Sequence, residues 1–191
     1  QWDATEDAMV YVSYTEGFKA GGFDARANNT GSFEFDEELA TSYELGSKMT
    51  LADGRAELNV ALYRTEYEDL QTSQFDGTLG FNVTNAGEAT VQGIELDGRW
   101  QATDSLLFSY AAGILDFEFD SFPNSQCYFG EESSYPDGSE LAGLCDRSGD
   151  TREFTPELTA NLGGQYFFDI GGSMELTVGL DLIYSDEYFV S

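Results

Sequence analysis

The chain has 191 residues, 36 acidic against 8 basic, no histidine, and a formal net charge of -28 at pH 7. Such a field repels nucleic acid and anionic head groups, and the lack of imidazole removes His-based triads, His-ligated zinc and His general bases. Extreme acidity can accompany disorder, but 41% hydrophobic and 15% aromatic residues argue against that; acidity by itself suits a solvated surface in a salty habitat.

About seven segments alternate with period 2, the strand period. The first runs from about Ala8 to Phe18, with Val10, Val12 and Tyr14 on one face and Tyr11, Ser13 and Thr15 on the other. In the second, about Thr41 to Leu51, Tyr43, Leu45, Met49 and Leu51 oppose Glu44, Gly46, Lys48 and Thr50. In the third, about Arg55 to Gln71, Leu58, Val60 and Leu62 oppose Glu57, Asn59 and Ala61. The fourth spans about Phe81 to Ala102, with Ile94, Leu96 and Trp100 against Glu95, Asp97 and Arg99. The fifth, about Leu106 to Phe119, sets Leu106, Phe108, Tyr110, Ala112 and Ile114 against Ser109, Ala111 and Gly113. The sixth, about Phe154 to Asp169, sets Leu158, Ala160, Leu162, Tyr166 and Phe168 against Glu157, Thr159, Asn161 and Gln165, with Pro156 tolerated at its start. The seventh begins at Met174, alternates Leu176, Val178, Leu180, Leu182 and Tyr184 with Glu175, Thr177, Gly179 and Asp181, and continues towards Phe189.

The connections alternate in length. Short turns stand at Ala52 to Gly54, Thr103 to Ser105 and Gly171 to Ser173; long acidic, Gly/Ser/Asn-rich connections run from Lys19 to Ala40, Thr72 to Gly80 and Asp120 to Glu153. All short turns then lie at one end of the sheet, as in outer-membrane barrels with short periplasmic turns and long extracellular loops. The strands also exceed the usual five or six residues of soluble sheets and are long enough to cross a bilayer at a tilt. A Lys or Arg at the midplane of the lipid side costs about 2–4 kcal/mol, so the face carrying Glu44, Lys48, Glu57, Glu95, Asp97, Arg99, Glu175 and Asp181 is expected to look into a wet lumen. Trp100, Tyr166 and Phe168, near short turns, suit a periplasmic aromatic girdle. The expected fold is all-β: an antiparallel up-and-down transmembrane β-barrel segment.

The candidate sites follow from placement. Cys127 and Cys145 lie in the longest loop and read as one disulfide formed in an oxidising compartment, closing about 19 residues. Phe18, Lys19, Gly21, Gly22 and Phe23 leave the membrane at the outer rim, where they either shape the exit from strand to loop or touch a ligand or a plug. The acidic groups Glu34, Asp36, Glu37 and Glu38, and Glu131 and Glu132, offer oxygen ligands to calcium but lack EF-hand spacing, and a solvated loop is the plainer reading. Glu95 with Asp97, and Glu175 with Asp181, raise paired catalytic carboxylates as a reading; on strands they simply share a face. No enzyme activity and no cofactor are expected. An anionic ligand would need Lys19, Arg26, Arg147 or Arg152 to gather near it.

Four stretches go beyond pattern. Tyr11 to Asp24 (YVSYTEGFKAGGFD) resembles the strand-to-loop segment of TonB-dependent outer-membrane receptors. Tyr43 to Lys48 (YELGSK), Leu58 to Gln71 (LNVALYRTEYEDLQ) and Asn85 to Asp97 (NAGEATVQGIELD) resemble the strands that follow it in that family, in the same order. The resemblance implies a barrel of about 22 strands with a plugged lumen, of which residues 1–191 would be a part, with the plug, the TonB-engaging motif and the terminal strand outside this chain. It implies a Gram-negative outer-membrane location and import of a scarce nutrient driven by TonB. A ferric siderophore is the commonest such ligand, with cobalamin and glycans as rivals. The implied partners are the plug of the same protein, TonB, the nutrient and outer-membrane lipid. A passive porin and a secreted soluble β-sheet domain that binds a ligand are the alternatives.

Overall fold

The computed structural model describes residues 1–24, 34–75, 81–85, 87–139 and 141–190. In chain order the strands are β1 (Trp2–Thr5), β2 (Ala8–Lys19), β3 (Gly22–Phe23), β4 (Glu34–Phe35), β5 (Glu38–Leu51), β6 (Ala56–Glu68), β7 (Gln71–Phe75), β8 (Phe81–Asn85), β9 (Glu88–Thr103), β10 (Leu106–Ser121), β11 (Ser125–Gln126), β12 (Leu144–Cys145), β13 (Leu158–Asp169) and β14 (Glu175–Ser185). Eight of them form one antiparallel sheet in the order β1-β2-β5-β6-β9-β10-β13-β14. Each neighbour in that sheet is the next long strand in sequence, so the sheet is an up-and-down meander. It does not close: β1 and β14 are its two edges.

The register explains why this sequence folds so. Val12, Leu45, Leu62, Ile94, Ile114 and Leu158 lie side by side across six strands. Val10, Ser47, Val60, Leu96, Ala112, Ala160 and Tyr184 form the next row. A slip of one residue on any strand would put its charges into this band, and period 2 therefore fixes the register. The band is not a packed core: Val12 is 73% exposed, Ile114 55% and Leu180 66%. A contiguous apolar face of this kind is what lipid covers, and what water does not tolerate on a monomer.

The band also runs obliquely across the strands. On β2 it reaches Tyr14, opposite Tyr43; in the same row Arg64, Gln92 and Asp116 on β6, β9 and β10 are already polar. On β13 and β14 it extends the other way to Phe168 and Leu176. Strands inclined to the membrane normal produce this stagger. Aromatic pairs mark both margins: Trp100 stacks on Phe108 at 5.9 Å and Tyr166 lies 4.4 Å from Phe168 near the turns, while Tyr14 and Tyr43 meet at 5.3 Å on the loop side.

The structure corrects several boundaries; the third strand stops at Glu68 and the seventh at Ser185, short of Gln71 and Phe189. The main sheet has eight strands rather than seven, because Trp2–Thr5 pairs with β2; four residues are too few for alternation to be read. The expected loop from Thr72 to Gly80 begins as a strand, β7, which pairs with β8 as a separate hairpin. The fourth strand therefore starts not at Phe81 but at Glu88, after Gly87 at φ 121°; a Cβ at Gly87 would lie 2.1 Å from the Ser121 carbonyl oxygen, which only glycine avoids. The sixth starts at Leu158 rather than Phe154, which sits at φ 61° and leaves Pro156 outside the strand.

The true core lies beyond the band, at the loop end, on the opposite face. Leu70, Ala89, Phe117, Phe119 and Phe122 are buried there, with Tyr67, Val91 and Leu115 packed against them.

Candidate functional site

The eight predicted polar residues share one face of the sheet. Lys48, Asn59 and Asp97 are neighbours across β5, β6 and β9, and Asn59 Nδ2 donates to Asp97 Oδ2 at 2.9 Å. Glu57 and Arg99 are cross-strand partners joined by a 2.6 Å ion pair. Tyr11 lays its ring across Gly46, where a Cβ would meet it at 2.2 Å, and donates its hydroxyl to Glu44 at 2.5 Å. Glu95 stands opposite Gly113, and Asp181 opposite Gly163. Glu175 is at the turn end of β14, opposite Asp169. Six residues of strand, about 20 Å, separate it from Asp181, so these two cannot act as a carboxylate pair. The face is polar, with hydrogen bonds on Glu44, Glu57, Asp97 and Arg99.

At the other end of the strands, the outer-rim group splits between elements. Phe18 lies on the apolar-band face and is 75% exposed; Lys19 points the other way. Gly22 and Phe23 form β3 and pair with β4, and Gly21 backs onto the Phe35 carbonyl. Gln71 ties this first long connection to the second: its Nε2 donates to the carbonyls of Ala20 at 3.2 Å and Asp36 at 3.0 Å, and its N–H to Glu38 at 2.8 Å. Glu38, from the acidic run, is therefore a structural acceptor.

The long connection after β10 is built around one largely covered arginine, Arg147. Cys127 and Cys145 form the expected disulfide, with Cα atoms 5.0 Å apart, and Cys145 is fully buried. β11 pairs with β12 beside it. The Arg147 side chain, 11% exposed, pairs with Glu131 and with Asp150, the latter at 3.3 Å, and its guanidinium lies 3.9 Å over the Tyr128 ring. Burial works to discharge Arg147, but the Glu131 and Asp150 carboxylates outweigh it and hold it firmly protonated. The Tyr128 N–H, 2.9 Å from Glu131, and then Arg147 keep the Glu131 carboxyl below its ordinary range. Burial, and then the neighbouring Glu153, raises the Tyr128 hydroxyl, which donates to Glu153 at 3.1 Å. Among the described residues the one metal-like group is Cys127, Glu131 and Cys145. Its sulfurs are spent in the disulfide, so it is no thiolate site.

Between this connection and β7 lies a cavity of about 410 Å³. Thr72, Gln74, Phe119, Phe122, Arg147 and Arg152 are among its walls. Two of the four basic residues named as possible anion partners thus meet in one place; Lys19 does not line it, and Arg26 lies outside the described residues. The sequence reading missed this cavity and the aromatic cluster beside it. A usable sign was present: past Ile114, the apolar residues of β10 change parity to Leu115, Phe117 and Phe119.

A staggered apolar band, a polar opposite face, short turns at one end and folded loops at the other define the wall of an outer-membrane β-barrel. The family model described as TonB dependent receptor-like, beta-barrel, matches residues 1–190, and the chain belongs to that family, whose members reside in the outer membrane. It is 28% identical over 184 residues to the probable TonB-dependent siderophore receptor PiuA of Acinetobacter baumannii, covering 91% of this chain and 24% of that one. The metal-pseudopaline receptor CntO of Pseudomonas aeruginosa is 29% identical over 117 residues, 61% of this chain and 16% of its own. Among solved structures, the ferric yersiniabactin uptake receptor FyuA of Yersinia pestis superposes with a TM-score of 0.72 at 20% identity, over 98% of this chain and 25% of that one. This chain spans about a quarter of PiuA and less of CntO.

Proposed function

We propose that the whole protein imports a ferric siderophore across the outer membrane, with this chain forming part of the barrel wall. In this reading the lumen face carries Glu44, Lys48, Glu57, Glu95, Asp97, Arg99, Glu175 and Asp181, and meets the plug of the same protein; TonB acts on that plug. The long connections form part of the ligand-binding mouth, with Phe18, Lys19 and Gly21 to Phe23 at its rim. No covalent chemistry is needed from this segment. The observation that carries the reading is the family match along residues 1–190, supported by relatives whose names state a siderophore receptor, a metal-pseudopaline receptor and a ferric-pyoverdine receptor.

The test uses the full-length protein in an iron-starved Gram-negative strain stripped of its own ferric-chelate receptors. Uptake of radioactive iron from a panel of ferric chelates is measured with and without a functional TonB. Accumulation of at least one chelate that requires TonB is expected; accumulation independent of TonB would point to a passive pore and sink the reading.

A further inference from the structure

The cavity between β7 and the disulfide loop is lined unlike a packing defect. Arg147 Nε and Gln74 Nε2 are buried with no hydrogen-bond partner, and so is the Thr72 hydroxyl. Leaving such groups unpaired is costly, and buried polar groups are rarely left so. Thr72 and Gln74 are alternate residues of β7 and share its face. A merely structural seam against Phe119 and Phe122 would favour apolar side chains there. At about 410 Å³ the cavity is also far larger than the room one bridging water needs, and within the range of ligand pockets.

The unpaired donors around it, rather than its net charge, set the class of the guest. Arg147 is already paired with Glu131 and Asp150, and Glu153 accepts from Tyr128. Arg152, which also lines the cavity, makes no ion pair among the described residues. The Arg152 guanidinium, an unmatched N–H on Arg147 and an unmatched amide on Gln74 together form a donor set. Planar guanidinium and amide donors match the two oxygens of a carboxylate.

We propose that this cavity is a subsite for a carboxylate-bearing arm of the imported ferric chelate, held by Arg152, Gln74 and the Nε–H of Arg147. The proposal rests on the import reading above and adds the chemical class of the ligand.

The test takes the purified full-length receptor in detergent. Its probes are ferric complexes with three cores: tris-catecholate, tris-hydroxamate and hydroxycarboxylate. Each core carries one pendant arm ending in either a carboxylate or a primary amide. The acid form should bind roughly tenfold more tightly than its amide on at least one core, since a charge-assisted hydrogen bond is about twice as strong as a neutral one. In Arg152→Gln and Gln74→Leu that preference should shrink to about twofold or less. Neither change breaks a hydrogen bond or ion pair of those side chains seen among the described residues, so both variants should fold. Equal binding of acid and amide, no binding of any acid form, or an acid preference that survives both variants overturns the subsite even where TonB-dependent uptake is seen. Binding that follows the expected pattern in a receptor that imports none of the chelates supports the subsite and overturns the import reading instead.

Discussion

From Val10 to Tyr184 the strands that cross the apolar band are held by backbone ladders, and most of their side chains on that face have no protein neighbour above them. From Phe117 to Glu157 the opposite holds: little regular ladder, but a buried aromatic cluster, a disulfide, and an arginine with two carboxylates and a tyrosine around it. The two regions face different solvents. A wall between lipid and a wet interior needs only to satisfy its backbone internally and present the right polarity to each side. A loop standing in water must pack a core of its own, or stay loose.

The largest effect should follow from emptying that small core. Phe119 is 6% exposed and lies 4.9 Å from the rings of both Phe117 and Phe122. Phe119→Ala should cost the loop about 3–5 kcal/mol. In the full-length receptor, hydrogen exchange should speed up from about residue 119 to 157 while β5, β6 and β9 keep their protection. If the wall strands loosen by the same amount, the two regions are one cooperative unit and the contrast fails.

The wall is tested by a charge on each face. Leu96 sits in the apolar band and Ala111 on the polar face, beside Asp97 and Asn161. Leu96→Arg should destabilise the receptor by about 2–4 kcal/mol, the midplane cost of arginine on a lipid-facing position. Ala111→Arg should cost well under half of that, because a cation there meets a carboxylate. Denaturant titration of the full-length protein in lipid vesicles measures both. Equal costs would mean that the faces are not lipid and water.

What the sequence made legible divides along the same line. The wall could be read because its rule is local: period 2, with Glu57, Asp97 and Arg99 on one parity and Leu58, Leu96 and Trp100 on the other. All eight predicted lining residues fall on one face for that reason. The disulfide could be read because two cysteines allow one pairing. The β7–β8 hairpin, the Gln71 bridge and the Arg147 cluster were not legible: Gln71 to Gln74 carry no apolar alternation to mark a strand, and the other two rest on contacts that no spacing rule encodes. Between these extremes lies the parity change on β10. Leu106 to Ile114 point their apolar residues one way, and Leu115 to Phe119 the other. Tyr67 on β6, with Val91 and Ala89 on β9, shows the same reversal. Where alternation changes sides, a strand has left the membrane and its inner face has begun to support a loop.

The smallest predicted effect uses acid to probe that loop without mutation. Glu131 is held below its ordinary range by the Tyr128 N–H and Arg147, and Asp146 by the hydroxyl and N–H of Ser148. A carboxyl depressed in the folded state contributes stability that is fully present above its unfolded value and disappears as the pH falls through its folded one. Acidification through and below the usual carboxylate range should therefore weaken the cluster. The Arg147 N–H, bonded to the Phe122 carbonyl at 2.9 Å, should then exchange faster than the intrinsic pH dependence allows. With the disulfide intact the change should be modest, because both partners are partly exposed and such interactions are weak. Reducing Cys127–Cys145, which spans 18 residues of sequence, removes a constraint of roughly 3 kcal/mol, and should move the transition towards neutral pH. Protection that stays flat into acid, in oxidised and reduced protein alike, would mean that the aromatic cluster alone holds the loop and that the charges around Arg147 contribute nothing to its order.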